Sequence, residues 1–229
     1  MASLERLITK IKGEPYKIQG GYNNRELFNI VTSRGTQLIR GYISKLFFFK
    51  AKGFFFKGRH VKIRNRHLIN AGKNLILGDY VYLNGLSKKG ITLGNNVTIE
   101  RSSTIICTGV IANKGEGIVV GSNTGINANV FIGAQGGVSI GNYVIIGPGV
   151  KIFSENHNIE SEGYFKNQGE TRLGVEIKDN SWIGSGAIIL DGVILESNTV
   201  VAAGSVVTKS FEGNCVIGGV PAKIIKKLN

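Results

Sequence analysis

The sequence predicts an all-β solenoid of short strands turned at sharp corners, with a mainly helical or irregular segment before it and a short basic tail after it. Three observations carry this. From Ile177 to Lys209, aliphatic residues stand at Ile177, Ile183, Ile189, Leu195, Val201 and Val207, one every six residues. A helix repeats at about 3.6 residues and a plain strand at about 2, so a strict six fits neither; it fits a strand that points one side chain inward and then turns. Small or β-branched residues recur between these positions, at Ser181, Ala187, Val193, Thr199 and Ser205. Finally, 33 glycines without a triplet period, against 3 prolines, suit many corners that need positive φ.

The chain in order begins with residues 1–57, which lack the rhythm. Leu4, Leu7, Ile8 and Ile11 fall at helical spacing, and Gly13 with Pro15 ends that helix. A second, largely helical segment runs from about Asn24 to Lys50. It leads into Lys45–Lys57, where six phenylalanines are interleaved with four lysines. This stretch has two readings: a cap over the open end of the solenoid, or an interfacial patch with rings at the acyl boundary and lysines on anionic head groups. Such a mix also resembles single-strand nucleic-acid platforms, but no nucleic-acid-binding fold accompanies it.

Residues 58–209 form the predicted solenoid. The rhythm is loose at Val61, Ile63, Ile69, Leu75, Leu77 and Leu83. It then places Leu93, Ile99, Ile105 and Ile111 inward, followed by Val120, Ile126, Ile132, Ile140, Ile146 and Ile152. Asparagines at Asn95, Asn96, Asn127, Asn129, Asn142 and Asn180 suit left-handed corners. The beat stops at residues 153–176, a polar loop too long to be a plain corner and therefore a functional candidate. Residues 210–229 form the tail.

Composition narrows the function classes. A net charge of +13 favours anionic partners, although a solvated basic surface would look the same. Cys107 and Cys215 form no metal-like cluster and read as small hydrophobes in a reducing compartment. The N-terminus has charges throughout, and no run reaches about 18 apolar residues. A cytoplasmic location is expected, with peripheral contact at the inner face of the plasma membrane left open.

The segment Ile183-Gly-Ser-Gly-Ala-Ile188 resembles the repeats of the hexapeptide-repeat acyltransferases. The passages from Trp182 through Lys209 and from Gly219 to Lys223 are similar to the sugar O-acetyltransferase branch. Phe153-Ser-Glu-Asn-His-Asn158, with Gln168-Gly169 and Thr171-Arg172, resembles surface-polysaccharide O-acetyltransferases. The resemblance implies a left-handed parallel β-helix in which Ile177 and Leu195 stack. It also implies acetyl-CoA as co-substrate, a sugar or glycan acceptor, and a homotrimer with sites between subunits.

Acetyl transfer to a hydroxyl needs a base, oxyanion stabilisation and alignment of two substrates. His157 opens the polar loop and matches the family's catalytic histidine; imidazole, with a free pKa of about 6.5, suits the task. Glu155 and Glu170 are the acids available to orient it, and Asn156, Gln168 and Trp182 are the acceptor-site candidates. By resemblance Ser185 lies beside the thioester, Ala203 along the pantetheine arm, and Thr208 and Lys209 near the CoA phosphates. Lys223 and Lys226 suit the 3′-phosphate. N-acetylation of an amino sugar or other amine shares fold, donor and base. Zinc chemistry on such a coil wants about three histidine ligands, whereas His60 and His67 read as surface or capping residues, so no metal is expected. A non-catalytic scaffold would not need the loop, the tryptophan and the basic tail together.

Overall fold

The computed structural model describes residues 2–46, 50–160 and 162–228. Two helices come first: α1 (Ala2–Lys12) and α2 (Asn24–Leu46). The rest is mostly β, beginning with β1 (Lys50–Lys57), β2 (Lys62–Arg64) and β3 (Ile69–Leu77). Of the largely helical segment expected from about Asn24 to Lys50, Asn24–Leu46 is helix, and Lys50 lies in a strand. Phe47, Phe48 and Phe49 of the Phe/Lys stretch lie outside the described residues.

Three stacks of parallel strands make up the body. The first holds the start of β3, Ile91–Leu93, Ile118–Val120, Val138–Ile140, Val175–Ile177 and Ile194–Leu195. The second holds the end of β3, Thr98–Ile99, Gly125–Ile126, Ile145–Ile146, Trp182–Ile183, Thr199–Val201 and Cys215–Gly219. The third runs from β2 through Tyr82–Asn84, Thr104–Ile106, Phe131–Gly133, Lys151–Phe153 and Ile188–Ile189 to Val206–Val207. The chain visits the stacks in strict rotation, so each circuit lays one rung on the last. Ile177 pairs with Leu195 in the register the repeat predicts.

The period of six follows from this geometry. Ile177, Ile183, Ile189, Leu195, Val201 and Val207 all point inward and are buried. Burying each such side chain contributes roughly 1.5–3 kcal/mol before chain entropy is counted. The small residues between them fit under the corners. Ser181, Thr199 and Ser205 are buried, and each hydroxyl donates to the carbonyl three residues back, at 3.0, 2.6 and 2.7 Å. Cys215 does the same with its thiol toward Glu212 O at 3.1 Å, which explains a cysteine at a serine-like position. The corners themselves are left-handed: Asn74, Asn96, Asn123, Tyr143, Asn180, Asn198 and Asn214 mark the edge between the first and second stacks, each with positive φ. The asparagine amides form ladders, Asn74 to Asn96 to Asn123 (2.9 and 2.7 Å) and Asn180 to Asn198 to Asn214 (2.6 and 2.9 Å).

One inward expectation fails. Ile111 is 98% exposed. The rhythm breaks after Ile106: Cys107 and Thr108 stay buried, residues 109–114 bulge out to solvent, and the chain is buried again at Gly115 before Ile118 resumes the coil. A single aliphatic residue at the right distance kept the period in sequence while the backbone had left it.

The N-terminal elements are tied to this body. The Asn74 and Asn96 amides also donate to Ile11 O (2.5 Å) and Lys12 O (3.1 Å), satisfying carbonyls at the C-terminal end of α1. Asn23 and Glu26 form a reciprocal capping box at the start of α2. β1 pairs in parallel with β3, and its Phe55 is buried in the common core. α2 crosses β1 at Gly41, where a Cβ would stand 1.6 Å from Phe55 O. Arg40 donates to Lys57 O (3.0 Å), and Lys57 Nζ donates to Ser44 Oγ (2.9 Å). Burial, with Arg66 and Arg40 nearby, pulls Lys57 below the usual lysine range.

Candidate active site

The third-to-first corner throws out the long loop of residues 154–174. Both of its roots are anchored by polar groups that burial obliges to find partners. At the exit, buried Ser154 donates to Gly133 O (2.9 Å) and accepts from Gly136 N (3.0 Å). At the return, Asp191 accepts from Leu173 N (3.0 Å) and Gly174 N (2.8 Å). Between the roots the loop closes into an antiparallel pair, Asn156–His157 against Glu170–Thr171, with His157 opposite Glu170. His157 and Asn156 are exposed.

The two acids are held together by one cation. Arg172 Nε and Nη2 reach Glu155 Oε2 at 2.9 and 2.8 Å, and Nη2 reaches Glu170 Oε1 at 2.7 Å. Arg172 Nη1 also donates to Asn113 O (3.3 Å), while Asn113 Nδ2 donates to Glu170 Oε1 (2.8 Å). The second excursion, 109–114, thus braces the first. Glu155 and Glu170 are brought together, but on Arg172 and not on the imidazole. Gln168 serves the loop itself: its Oε1 accepts from Glu160 N (2.6 Å) and its Nε2 donates to Glu162 O (3.0 Å).

The remaining predicted residues lie on the coil. Trp182 stands outward on the second stack between Ile145 and Val200, 54% exposed. Ser185 and Ala203 are exposed on adjacent rungs of the second-to-third corner. Thr208 and Lys209 are exposed on the corner from which the His157 loop departs, and Lys209 Nζ lies 5.7 Å from the Phe211 ring centre. The two groups therefore flank opposite edges of the third stack. Stacking continues past Lys209: Cys215–Gly219 pairs with Thr199–Val201, and Ala222–Lys227 folds back antiparallel with Lys223 and Lys226 exposed. A groove of about 360 Å³ beside the loop's return is lined by Leu173, Gly192, Ile194 and Val119.

Among the described residues no three or more His, Cys, Asp or Glu side chains gather where they could hold a metal ion. His60 stacks on Tyr80 at a corner (4.9 Å), and His67 is exposed in a single 3-10 turn. Three contributors to the site had no assigned role in the sequence. Asn113 and Asp191 lie far along the chain from what they bind, and Arg172 read only as part of a motif.

Residues 174–209 match the family described as bacterial transferase hexapeptide (six repeats). The chain is 34% identical over 139 residues to galactoside O-acetyltransferase of Escherichia coli (strain K12), covering 60% of this chain and 64% of that one. It is 33% identical over 115 residues to galactoside O-acetyltransferase of Lactococcus lactis subsp. lactis (strain IL1403), covering 50% and 55%. WbbJ of Escherichia coli (strain K12), named as a candidate lipopolysaccharide biosynthesis O-acetyl transferase, is 35% identical over 129 residues, covering 50% and 63%. The chain thus spans less than two thirds of these relatives. Among solved structures, a point mutant of AntD, an N-acyltransferase from Bacillus cereus, superposes with a TM-score of 0.51 at 18% identity, covering 83% of this chain and 89% of that one. That likeness bears on the fold alone.

Proposed function

We propose that this protein moves an acetyl group from acetyl-CoA to a hydroxyl of a sugar, a unit of a bacterial surface polysaccharide such as capsule or O-antigen. The observation that carries the reading is the His157 hairpin, pinned at both roots and projecting from a coil whose hexapeptide segment begins where the loop returns. The galactoside O-acetyltransferases and WbbJ support a sugar hydroxyl as acceptor. The three-stack rotation, with the AntD fold likeness, supports a left-handed parallel β-helix.

In this reading His157 takes the proton from the sugar hydroxyl as its oxygen attacks the thioester carbonyl. The tetrahedral oxyanion collapses, the carbon–sulfur bond breaks, and the imidazolium returns the proton to the departing thiolate. No residue is acylated. Arg172 bridges the Glu155 and Glu170 carboxylates and holds the hairpin in place. Trp182 and Asn156 offer an aromatic wall and an amide to the sugar, and Gln168 acts through the loop it closes. Ser185 and Ala203 line the pantetheine arm, and Thr208, Lys209, Lys223 and Lys226 meet the phosphates. Because the imidazole and the Ser185–Ala203 edge flank opposite sides of the third stack, a homotrimer would complete each site with a neighbour's edge.

The test is thiol release from acetyl-CoA with matched hydroxyl and amino sugar acceptors, and mass spectrometry of the products. Acetyl esters on the hydroxyl acceptors support the reading. Amide products alone would replace it with N-acetylation, and no turnover with either, together with no acetyl-CoA binding, would favour a scaffold.

A further inference from the structure

Helix α2 presents its apolar side to solvent. Phe28, Val31, Ile39, Tyr42 and Leu46 follow one another at helical spacing and are 66%, 48%, 62%, 65% and 65% exposed. The opposite side, with Gly41, Arg40 and Ser44, is the one packed on β1. In an ordinary surface helix the apolar stripe faces the core; here the less exposed side carries Gly41, Arg40 and Ser44 with half-buried Leu27 and Leu38, and the larger apolar stripe is left uncovered by the described residues.

Charge indicates what covers it. Glu26 is the sole acid of α2, and its carboxylate is turned back onto Asn23 N in the capping box. Arg25 on the helix, and Lys50 and Lys52 on the adjoining strand, are exposed. A second copy laid on this face would bring like cations together, whereas an anionic surface would neutralise them. Among the described residues no helix is long and apolar enough to cross a membrane, so the helix would lie along a bilayer and not through it.

We propose that the outward face of α2 docks on an anionic lipid surface, with Phe28, Ile39, Tyr42 and Leu46 in the acyl boundary and the flanking cations on the head groups. The inference stands apart from the transfer chemistry. It also moves the contact away from Phe54–Phe56, since Phe55 belongs to the core and its replacement would perturb the fold.

The full chain is sedimented with vesicles of phosphatidylcholine alone and of phosphatidylcholine with roughly one quarter phosphatidylglycerol. Its molar mass is followed by light scattering. The wild type should partition at least about tenfold more onto the anionic vesicles, and added salt should weaken it. Ile39→Ser with Leu46→Ser should abolish binding while molar mass and circular dichroism stay unchanged. Arg25→Gln with Lys52→Gln, both surface changes, should weaken binding to anionic vesicles even if the serine variant fails to fold. Equal partition on both vesicles, no partition on either, or binding indifferent to both variants overturns the proposal. A serine variant that lowers the molar mass and leaves vesicle binding intact assigns the face to contact between copies.

Discussion

His157 and Glu170 sit directly opposite each other across the antiparallel pair, yet the Glu170 carboxylate is turned to Arg172 at 2.7 Å and to the Asn113 amide at 2.8 Å. The acid beside the proposed base therefore serves to fix the hairpin. Arg172 is its keystone, binding Glu155 as well and lying 15% exposed. Replacing it by Met leaves two acids facing each other without a cation. The expected cost is about 1–3 kcal/mol of stability, with a fall in kcat/KM of roughly tenfold to a hundredfold from lost alignment. Arg172→Lys should recover only part, since an ammonium cannot span both carboxylates as the guanidinium fork does. Urea titration and steady-state kinetics of the two variants check this.

Asp191 supports the same loop from the coil. Its carboxylate accepts from the Leu173 and Gly174 amides. Asp191→Ala leaves both donors without their acceptor, at a cost of about 1–3 kcal/mol. The loop should then be cut faster in limited proteolysis, while fragments of the coil stay intact.

The two glycines of α2 should respond in opposite directions. At Gly41 a Cβ would collide with Phe55 O, so Gly41→Ala should push the helix off β1 and lose about 1–3 kcal/mol. Around Gly35 nothing lies within 4 Å, so Gly35→Ala should gain up to about 1 kcal/mol from helix propensity. Thermal melts of the pair separate packing from propensity.

Cys107 is buried, and burial raises its thiol from 9.0 to about 12, with a smaller opposing effect from Ser87. The native protein should leave this thiol unmodified by a thiol reagent at neutral pH, and urea should expose it. Between pH 9 and about 12 the unfolded chain gives up this proton while the folded chain keeps it. This contribution to stability is complete below the lower value and falls as pH rises through the window. Unfolding midpoints of wild type and Cys107→Ala across that range should converge on the alkaline side.

The coil was legible because its constraint is periodic: each side must bury one aliphatic residue and turn, and Ile177 to Val207 record that directly. The interruption at 153–176 was legible for the same reason, as a lapse in the period. Ile111 shows where the signal misleads, since one aliphatic residue in phase concealed the excursion at 109–114. The anchors were not legible. Asp191 reaches Leu173 from the next rung, and Asn113 reaches Glu170 across 57 positions. Nothing local in the sequence distinguishes such residues from solvated corners. The Phe/Lys stretch divides by alternation once β1 is seen: Phe55 turns into the core, while Phe54 stays 44% exposed.

In the proposed reaction the hairpin imidazole of His157 is the base of acetyl transfer. The most direct measurement is turnover of acetyl-CoA with a hydroxyl acceptor by His157→Ala. Because His157 is exposed, the variant should match the wild type in circular dichroism and melting temperature. The variant should lose roughly a hundredfold to ten-thousandfold in kcat with acetyl-CoA binding retained. A folded variant that turns over within about threefold of wild type would contradict it, since that difference is under about 1 kcal/mol in the barrier.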